Sequence, residues 1–542
     1  MLTQKALDRV EEYIQRLDQL KGIRSPYEAV WNDATQYILP NRGDFTATRA
    51  KGRSRTDLIY DGTGPWANEQ LAAGLAGFLT SPTQRWFKLK FMDKTVDLRR
   101  DSRKYLEDTE DILYEQIFNS PSTNFAPQSH ELYMDIGAFG SSVMLIEDTP
   151  GSPINFQTFH LGNCYFAEDG SGHVNTVYRM ITKTARELVA KYKDKLSSEQ
   201  LAALMKKPYE PQECLHIVEP NDDYVPDSPI NINKKFISIM IYMDKEKALL
   251  DESGFNDFPY VVPRWQKTAE EVYGRGPGST CMPDIKMVNE MMKTIIKAGQ
   301  KITDPPLQVP DDGFILPIRT GPASLNFFRA GISDRIEEFG NRGRVDIGLD
   351  LLRDRHEHIM RTFHIDIMRM KEEGPQMTAT EVLQRQEEKM RNIAPMTGRM
   401  QSEYLGPMVT RVYNIAFRRN MLPELPGDLT GAQIKIEYSS PVARAQKATQ
   451  LQNVTRLLEA FVPLINIKPE IADKFDGDGY FDWAHDLLDA PTAVATSKDK
   501  ITMIREQRAK AQEDAQMKED AMAVTEGGLN MAKSQNLMTP KV

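Results

Sequence analysis

The stretch 284–302, DIKMVNEMMKTIIKAGQKI, carries apolar or small residues at Ile285, Val288, Met292, Ile295, Gly299 and Ile302. Steps of 3, 4, 3, 4 and 3 residues trace one unbroken seam along an α-helix, the pattern of a helix packed lengthwise on a partner. At about 100° per residue, Lys286, Lys293, Lys297 and Lys301 gather within an arc of ~80° opposite that seam, and Glu290 shares the arc. The solvated face of an amphipathic helix accounts for such a stripe as readily as a binding face does.

Downstream, DPPLQVPDDGFILPIRTGP (304–322) is too rich in proline and glycine for a helix and reads as a compact, turn-rich module. A second long helix is expected from about Ile332 to Met370, with its seam at Val345, Leu349, Leu352, His356, Ile359, Phe363, Ile367 and Met370. Two long helices joined at one end by a small module is the unit these patterns define. KEEGPQM (371–377) breaks the second helix, and Thr378 to Glu381 reads as a capping box. The helix it opens is expected to reach about Met421, kinked at Pro395 and Pro407.

Upstream, the chain from Ser142 to Arg264 is mostly β, with a helical interruption around 184–205. CYFAED, the turn GSG and HVNTVYRMI make a hairpin, and 236–243 and 260–265 are later strands. Helices are expected near 65–79, 101–118 and 124–139, and Leu7, Val10, Ile14 and Leu17 share a face of an earlier one. Ser25-Pro26-Tyr27-Glu28 reads as the capped start of a separate helix that Pro40 closes. Toward the C-terminus, IKIEY (434–438) is a strand; the rest reads as helical apart from a Gly/Asp-rich interruption at 476–479, ending in an exposed tail.

At 542 residues the chain exceeds a single ordinary core. Its 40% hydrophobic and 27% charged residues are the balance of a folded protein, and the helix and strand patterns along the chain read as α+β, mainly helical. A net charge of -9 excludes a globally basic nucleic-acid binder, so contact with DNA would have to rest on a local stripe. Cys164, Cys214 and Cys281 are widely spaced, which argues against a disulfide framework or a cysteine-rich zinc site. The charged N-terminus and the brevity of the apolar Leu71–Leu79 stretch argue for a soluble product of the cytosol, with no membrane partner.

Signals for chemistry are poor, and no catalytic, cofactor or metal site is expected. YGRGPGS (273–279) and DGTGPW (61–66) lack the lysine of a phosphate-binding loop, and the chain has no Gly-Lys dipeptide. A G-x-S-x-G elbow is also absent. His356 and His358 point ~200° apart on a helix, so they read as seam or surface histidines. FDGDGYFD (475–482) faintly resembles a calcium loop, but Lys474 and His485 would stand at ligand positions, and a turn is the better reading.

Six segments, taken in order, resemble the head-to-tail connector (portal) family of short-tailed double-stranded-DNA bacteriophages. They are 61–89, beginning DGTGPWANEQ; 124–148, NFAPQSHELYMDIGAFGSSVMLIED; 258–279, FPYVVPRWQKTAEEVYGRGPGS; 284–306; 378–407; and YSSPVARAQKA (438–448). The resemblance spans roughly Pro26 to Ala448 and rests on their order and spacing. It implies a phage portal fold: a wing at 1–280, stem helices at 281–303 and 332–370, and a clip at 304–331. It further implies a tunnel loop at 371–377, a kinked wing helix and return strand at 378–440, a crown at 441–500 and a helical tail at 501–542.

The same resemblance implies a ring, usually of twelve subunits, at one capsid vertex of the virion, with no enzymatic activity of its own. The ring would pass double-stranded DNA non-specifically and meet the terminase motor, scaffold, major capsid protein and a tail adaptor. One stem helix would line the channel, making Lys286, Lys293, Lys297 and Lys301 candidates for facing DNA. Lys371, Glu372, Glu373, Gly374, Pro375, Gln376 and Met377 would form the constriction. A sparse stripe suits passage, because each neutralised phosphate adds salt-sensitive affinity and a strongly basic tunnel would hold DNA. The alternative is another ring-forming head–tail structural or adaptor protein.

Overall fold

The computed structural model describes residues 4–45, 56–97, 99–149, 151, 153–226, 228–303, 307–308, 337–338, 345–368, 395–426, 433–438, 450–461, 463, 475–488, 490, 494–496 and 500–518. The described chain is mainly helical with antiparallel sheets, an α+β protein. It divides into two compact units: Met1–Lys88 with Asp111–Leu422 and Tyr438–Val442, and Leu89–Glu110 with Pro423–Glu437 and Ala443–Val542.

The first unit opens with α1 (Gln4–Tyr37). It is one helix, not the two expected, and Pro26 lies inside it. Tertiary burial overrides the proline: Leu17 and Leu20 before it and Trp31 and Ala34 after it are buried on the same body. Arg24 adds polar anchors, pairing with Glu28 at 2.8 Å and donating to the Gly162 carbonyl at 2.6 Å. In chain order next come α2 (Thr63–Leu79), β1 (Phe87–Phe91), α3 (Lys94–Asp97), α4 (Arg100–Leu113) running into a π-helical turn at Tyr114–Phe118, and α5 (Phe125–Phe139); the stretch 89–110, with α3 and most of β1 and α4, belongs to the second unit.

Two sheets follow. β2 (Val143–Glu147) lies between β3 (Asn155–Phe159) and β9 (Tyr260–Val261), both antiparallel to it. β4 (Cys164–Glu168), β5 (Val174–Thr184), β6 (Pro211–Pro220), β7 (Phe236–Tyr242) and β8 (Ala248–Phe255) form an antiparallel meander in chain order. The expected hairpin is β4–β5, while INFQTF belongs to the other sheet and the 260–265 strand is only two residues long. Strand alternation sets the faces. Leu215, Ile217, Ile237, Ile239 and Ile241 pack on Val10, Leu17 and Leu20 of α1. Cys214 and Tyr242 face α6 (Ala185–Tyr192) and α7 (Ser198–Lys206), each of which begins with a capping box.

α8 (Pro277–Thr303) and α9 (Val345–Thr362) pack against each other. β10 (Leu307–Gln308) and β11 (Glu337–Glu338) are an antiparallel pair between them in sequence. The second long helix therefore does not start at Ile332, since Glu337–Glu338 is strand. Nor does it run unbroken to Met370. His364 adopts a left-handed φ of 56° and separates α9 from α10 (Ile365–Met368). Burial holds the break: Phe363 and Ile365 are in the core, and the His364 ring stacks on Trp265 at 5.9 Å.

α11 spans 395–400, a π-helical turn at Gln401–Leu405 and Gly406–Arg418. Pro395 and Pro407 both fall in this helix, while 378–394, where the capping box was expected, lies outside the described residues. Glu403, within the π-helical turn, meets buried Arg264 at 2.8 Å. Arg264 also pairs with Glu168 and donates to the carbonyls of Val272 and Gly172 at 3.1 and 2.9 Å. Lys267 completes the cluster 2.6 Å from Glu168. Arg411 of α11, its pKa lowered to about 10 by burial, donates to the carbonyls of Ile146 and Asp257 at 3.0 and 2.9 Å.

In the second unit, β12 (Ile434–Tyr438) pairs with β1, and Lys90 meets Glu437 at 2.7 Å. Helices α12 (450–461), α13 (Gly477–Leu487) and α14 (500–518) follow. The Gly/Asp-rich segment expected to interrupt a helix instead opens one. The Asp476 carboxylate accepts from the Gly479 amide at 2.9 Å, a capping bond at the N-terminus of α13. Apart from half-buried Ile501, α14 is exposed.

Candidate functional site

The α8–α9 pair carries most of the candidate residues, and its root is fixed by backbone contact. The YGRGPGS segment leads into α8 against the C-terminal end of α5. An added Cβ at Gly276 would lie 2.6 Å from the Ile136 carbonyl oxygen, and at Gly278 2.8 Å from that of Ala138. Gly140, which ends α5 with a left-handed φ of 82°, would meet the Gly276 amide nitrogen at 2.3 Å. The glycines permit two backbones to touch; they are more than loop punctuation.

Polar side chains then tie the hairpin to the segment before α2. Asn289, buried in α8, accepts from the amides of Tyr60 and Asp61 at 2.7 and 3.3 Å and donates to the Leu58 carbonyl at 3.1 Å. Asp61 caps Thr63 at 2.9 Å and meets His356 of α9, also at 2.9 Å. Asp284 of α8 receives His358 at 2.9 Å and Arg355 at 3.5 Å. The two histidines diverge on the helix, as their spacing requires, and each finds its own aspartate. Burial lowers the pKa of His364 and raises that of the Cys281 thiol to about 11, the latter offset in part by a hydrogen bond with Thr362.

The seam changes character along its length. Ile285 and Val288 are 4% and 1% exposed, Met292 and Ile295 are half-buried, and Ile302 is 56% exposed. On α9, Ile359 and Leu352 are buried, whereas Leu349 is 46% exposed beside an equally open Leu351. The distal half of the hairpin thus presents aliphatic side chains to its surroundings.

The lysine stripe is graded in the same sense. Lys286 meets Asp33 of α1 at 2.6 Å and lies over the Tyr37 ring at 5.8 Å. Lys293 pairs with Glu290 at 3.2 Å and lies over the Tyr60 ring at 5.5 Å. Lys297 and Lys301 are exposed, with no carboxylate at ion-pair distance among the described residues. The first two are engaged within the subunit, and the last two are exposed. The loop Lys371, Glu372, Glu373, Gly374, Pro375, Gln376 and Met377 lies outside the described residues, as does nearly all of 304–331. Among the described residues no helix is long and apolar enough to cross a membrane.

Sequence reasoning missed Asp33, Tyr60, Asp61 and Asn289. Each engages this hairpin from more than 200 residues away in the chain, or receives such a contact, and periodicity carries no signal for that. In DGTGPW it is Asp61, beside the glycines, that makes the contact.

Comparison with known proteins now bears on this arrangement. Residues 10–495 match the model of the bacteriophage head to tail connecting protein family. A probable portal protein of Bordetella phage BPP-1 is 29% identical over 540 residues, covering 97% of this chain and 96% of that protein. A portal protein of Salmonella phage epsilon15 is 28% identical over 536 residues, with 97% and 96% covered. With the match running from α1 through the hairpin and past α13, this chain belongs to the bacteriophage head to tail connecting protein family.

Proposed function

We propose that this chain is the portal subunit of a phage head: a ring-former at the capsid vertex through which genomic DNA enters and leaves, and to which the tail is joined. The observation that carries the reading is near end-to-end similarity to two portal proteins, with 97% of this chain aligned in each case. The hairpin supports it physically. Aliphatic side chains at Ile296, Ile302, Leu349 and Leu351, 41–56% exposed, gain from burial, and neighbouring copies related by rotation would provide it. In this reading 1–280 with 378–440 is the wing, 281–303 and 332–370 the stem, 304–331 the clip, 441–500 the crown and 501–542 the tail.

The ring, of about twelve subunits, passes duplex DNA without reading its sequence. In this reading Lys297 and Lys301 are the stem lysines that touch phosphates, while Lys286 and Lys293, paired within the subunit, are secondary. The terminase motor, scaffold, major capsid protein and tail adaptor are the partners this role requires, and the chain itself does no catalysis. Loop 371–377 narrows the channel. Deleting Glu373 to Gln376 is expected to leave rings able to join a capsid while completion of packaging or retention of the genome fails; normal packaging, retention and ejection by such phage would remove the valve role.

Native mass measurement with negative-stain imaging tests the whole reading. A closed ring with a central hole is expected. A protein that stays monomeric at micromolar concentration would refute it, and a ring that joins purified tails but never enters capsids would favour an adaptor.

A further inference from the structure

At the base of the hairpin three side chains from two helices converge: the Cys281 thiol, the Asp284 carboxylate and the His358 imidazole. Their ligand atoms lie within 4.8 Å of one another. Cys281 is buried, Asp284 is 18% exposed at its side chain and His358 is half open to solvent. Cys281 and Asp284 stand one turn apart on α8, so they share a face, and His358 reaches them from α9. This is a mixed sulfur, oxygen and nitrogen set, the donor chemistry of zinc-class ions rather than of magnesium or calcium. His356 and His358 alone do not define it, because two of its three members belong to the other helix.

We infer that Cys281, Asp284 and His358 form a site for a zinc-class transition-metal ion that pins α8 to α9 at the root of the hairpin. Zinc bonds of about 2.0–2.3 Å place tetrahedral ligand atoms roughly 3.3–3.8 Å apart, a spacing that side-chain rotation can reach from ligand atoms already within 4.8 Å of one another. His358 already stands 2.9 Å from Asp284, so one edge of that triangle needs to open rather than close. Binding forms a metal–sulfur bond, and the thiol proton leaves to solvent. A divalent ion with one thiolate, one carboxylate and a neutral imidazole sums to zero charge, which favours a partly buried position. Water fills the fourth position from the solvent side of His358. Arg355, 3.5 Å from the other carboxylate oxygen of Asp284, orients that ligand from outside. The ion-pair reading of Asp284 with His358 and Arg355 needs no cysteine, and that difference is what an experiment can separate.

The test uses the full-length protein, stripped with chelator and titrated with cobalt and then zinc. One equivalent of cobalt per chain is expected, with a thiolate-to-metal absorption band that zinc displaces. Cys281→Ser should abolish the band, and His358→Gln, at a half-open position that tolerates change, should remove binding of the equivalent. Arg355→Gln should weaken affinity by about 10–100-fold while leaving the band. Absence of the band in the wild-type protein, or its persistence in both Cys281→Ser and His358→Gln, would overturn the site. Because the readout is spectroscopic, failure here leaves the ring reading untouched, and failure of the ring leaves this site standing.

Discussion

The root and the far half of the hairpin are built from similar residues and live in different surroundings. Ile285 and Val288 begin a seam that the subunit itself covers, and Ile302 ends it 56% exposed. Around the root, Asn289, Asp61 and the glycines of 274–278 lock backbone and side chains to the body, and Asp284 ties α8 to α9. The far half has aliphatic and basic residues in their place. Periodicity reports that a face will be buried, and it is silent about whether the burying surface lies in the same chain.

The strongest way to sharpen that contrast is to damage the body. Arg264→Leu removes the group shared by Glu168 and Glu403, both largely buried. It should cost about 3–5 kcal/mol, because breaking a buried pair strands the remaining charge. Urea unfolding measures this, and a loss below ~1 kcal/mol would mean that Lys267 and Arg399, the latter 3.2 Å from Glu403, suffice to hold the two glutamates.

Charging the far half should do the opposite. Ile302→Lys with Leu349→Lys should leave subunit stability within about 0.5 kcal/mol, as expected of exposed positions, yet move native mass from ring to monomer. Rings that persist would place the assembly contacts elsewhere.

Acid supplies a smaller effect, confined to the body. Burial lowers the pKa of His216 to about 3 and of His160 to about 4, the latter helped by Arg42 and Arg24. Both lie below the usual histidine value, so their contribution is fully present above about pH 6.5 and drains away as pH falls through 4 and 3. Asp135 runs the other way. Burial outweighs Arg42 and raises it to about 7, so its contribution is lost as pH rises from about 4 to 7. In Asp135→Asn, the melting temperature should therefore fall monotonically from pH 7 to 4, and a flat profile would contradict the histidine placement.

The smallest effect belongs to the stripe. Lys297→Gln with Lys301→Gln should preserve rings and change DNA retention modestly, more at low salt than at high. Loss of assembly instead would make these lysines part of a subunit contact.

Much of the fold is legible from residues alone. The helices at 63–79 and 125–139, the β4–β5 hairpin and the α8 seam follow from period and turn chemistry. The misreadings share a cause, since each local signal met a tertiary environment that outweighed it. Pro26 is carried through because both of its flanks are buried. The break at His364 is invisible to a seam that continues apolar through Phe363 and Ile367, for it is fixed by packing on Trp265. FDGDGYFD has the composition of a turn, and Asp476 uses it to start a helix. Of the candidate site, the lysine face was legible while the partners that divide it, Asp33 and Tyr60, were not.

The glycine contact at the root also has a mechanical meaning. Side-chain packing yields under load by rotamer adjustment, and a joint made of backbone against backbone has no such slack. A force applied along α8 therefore passes through Gly276 and Gly278 into the end of α5, with little damping between them. Anything that pulls or pushes on the hairpin works against a stiff hinge-pin, and an alanine at Gly276 would shim that joint by a fraction of an ångström at the point of highest leverage.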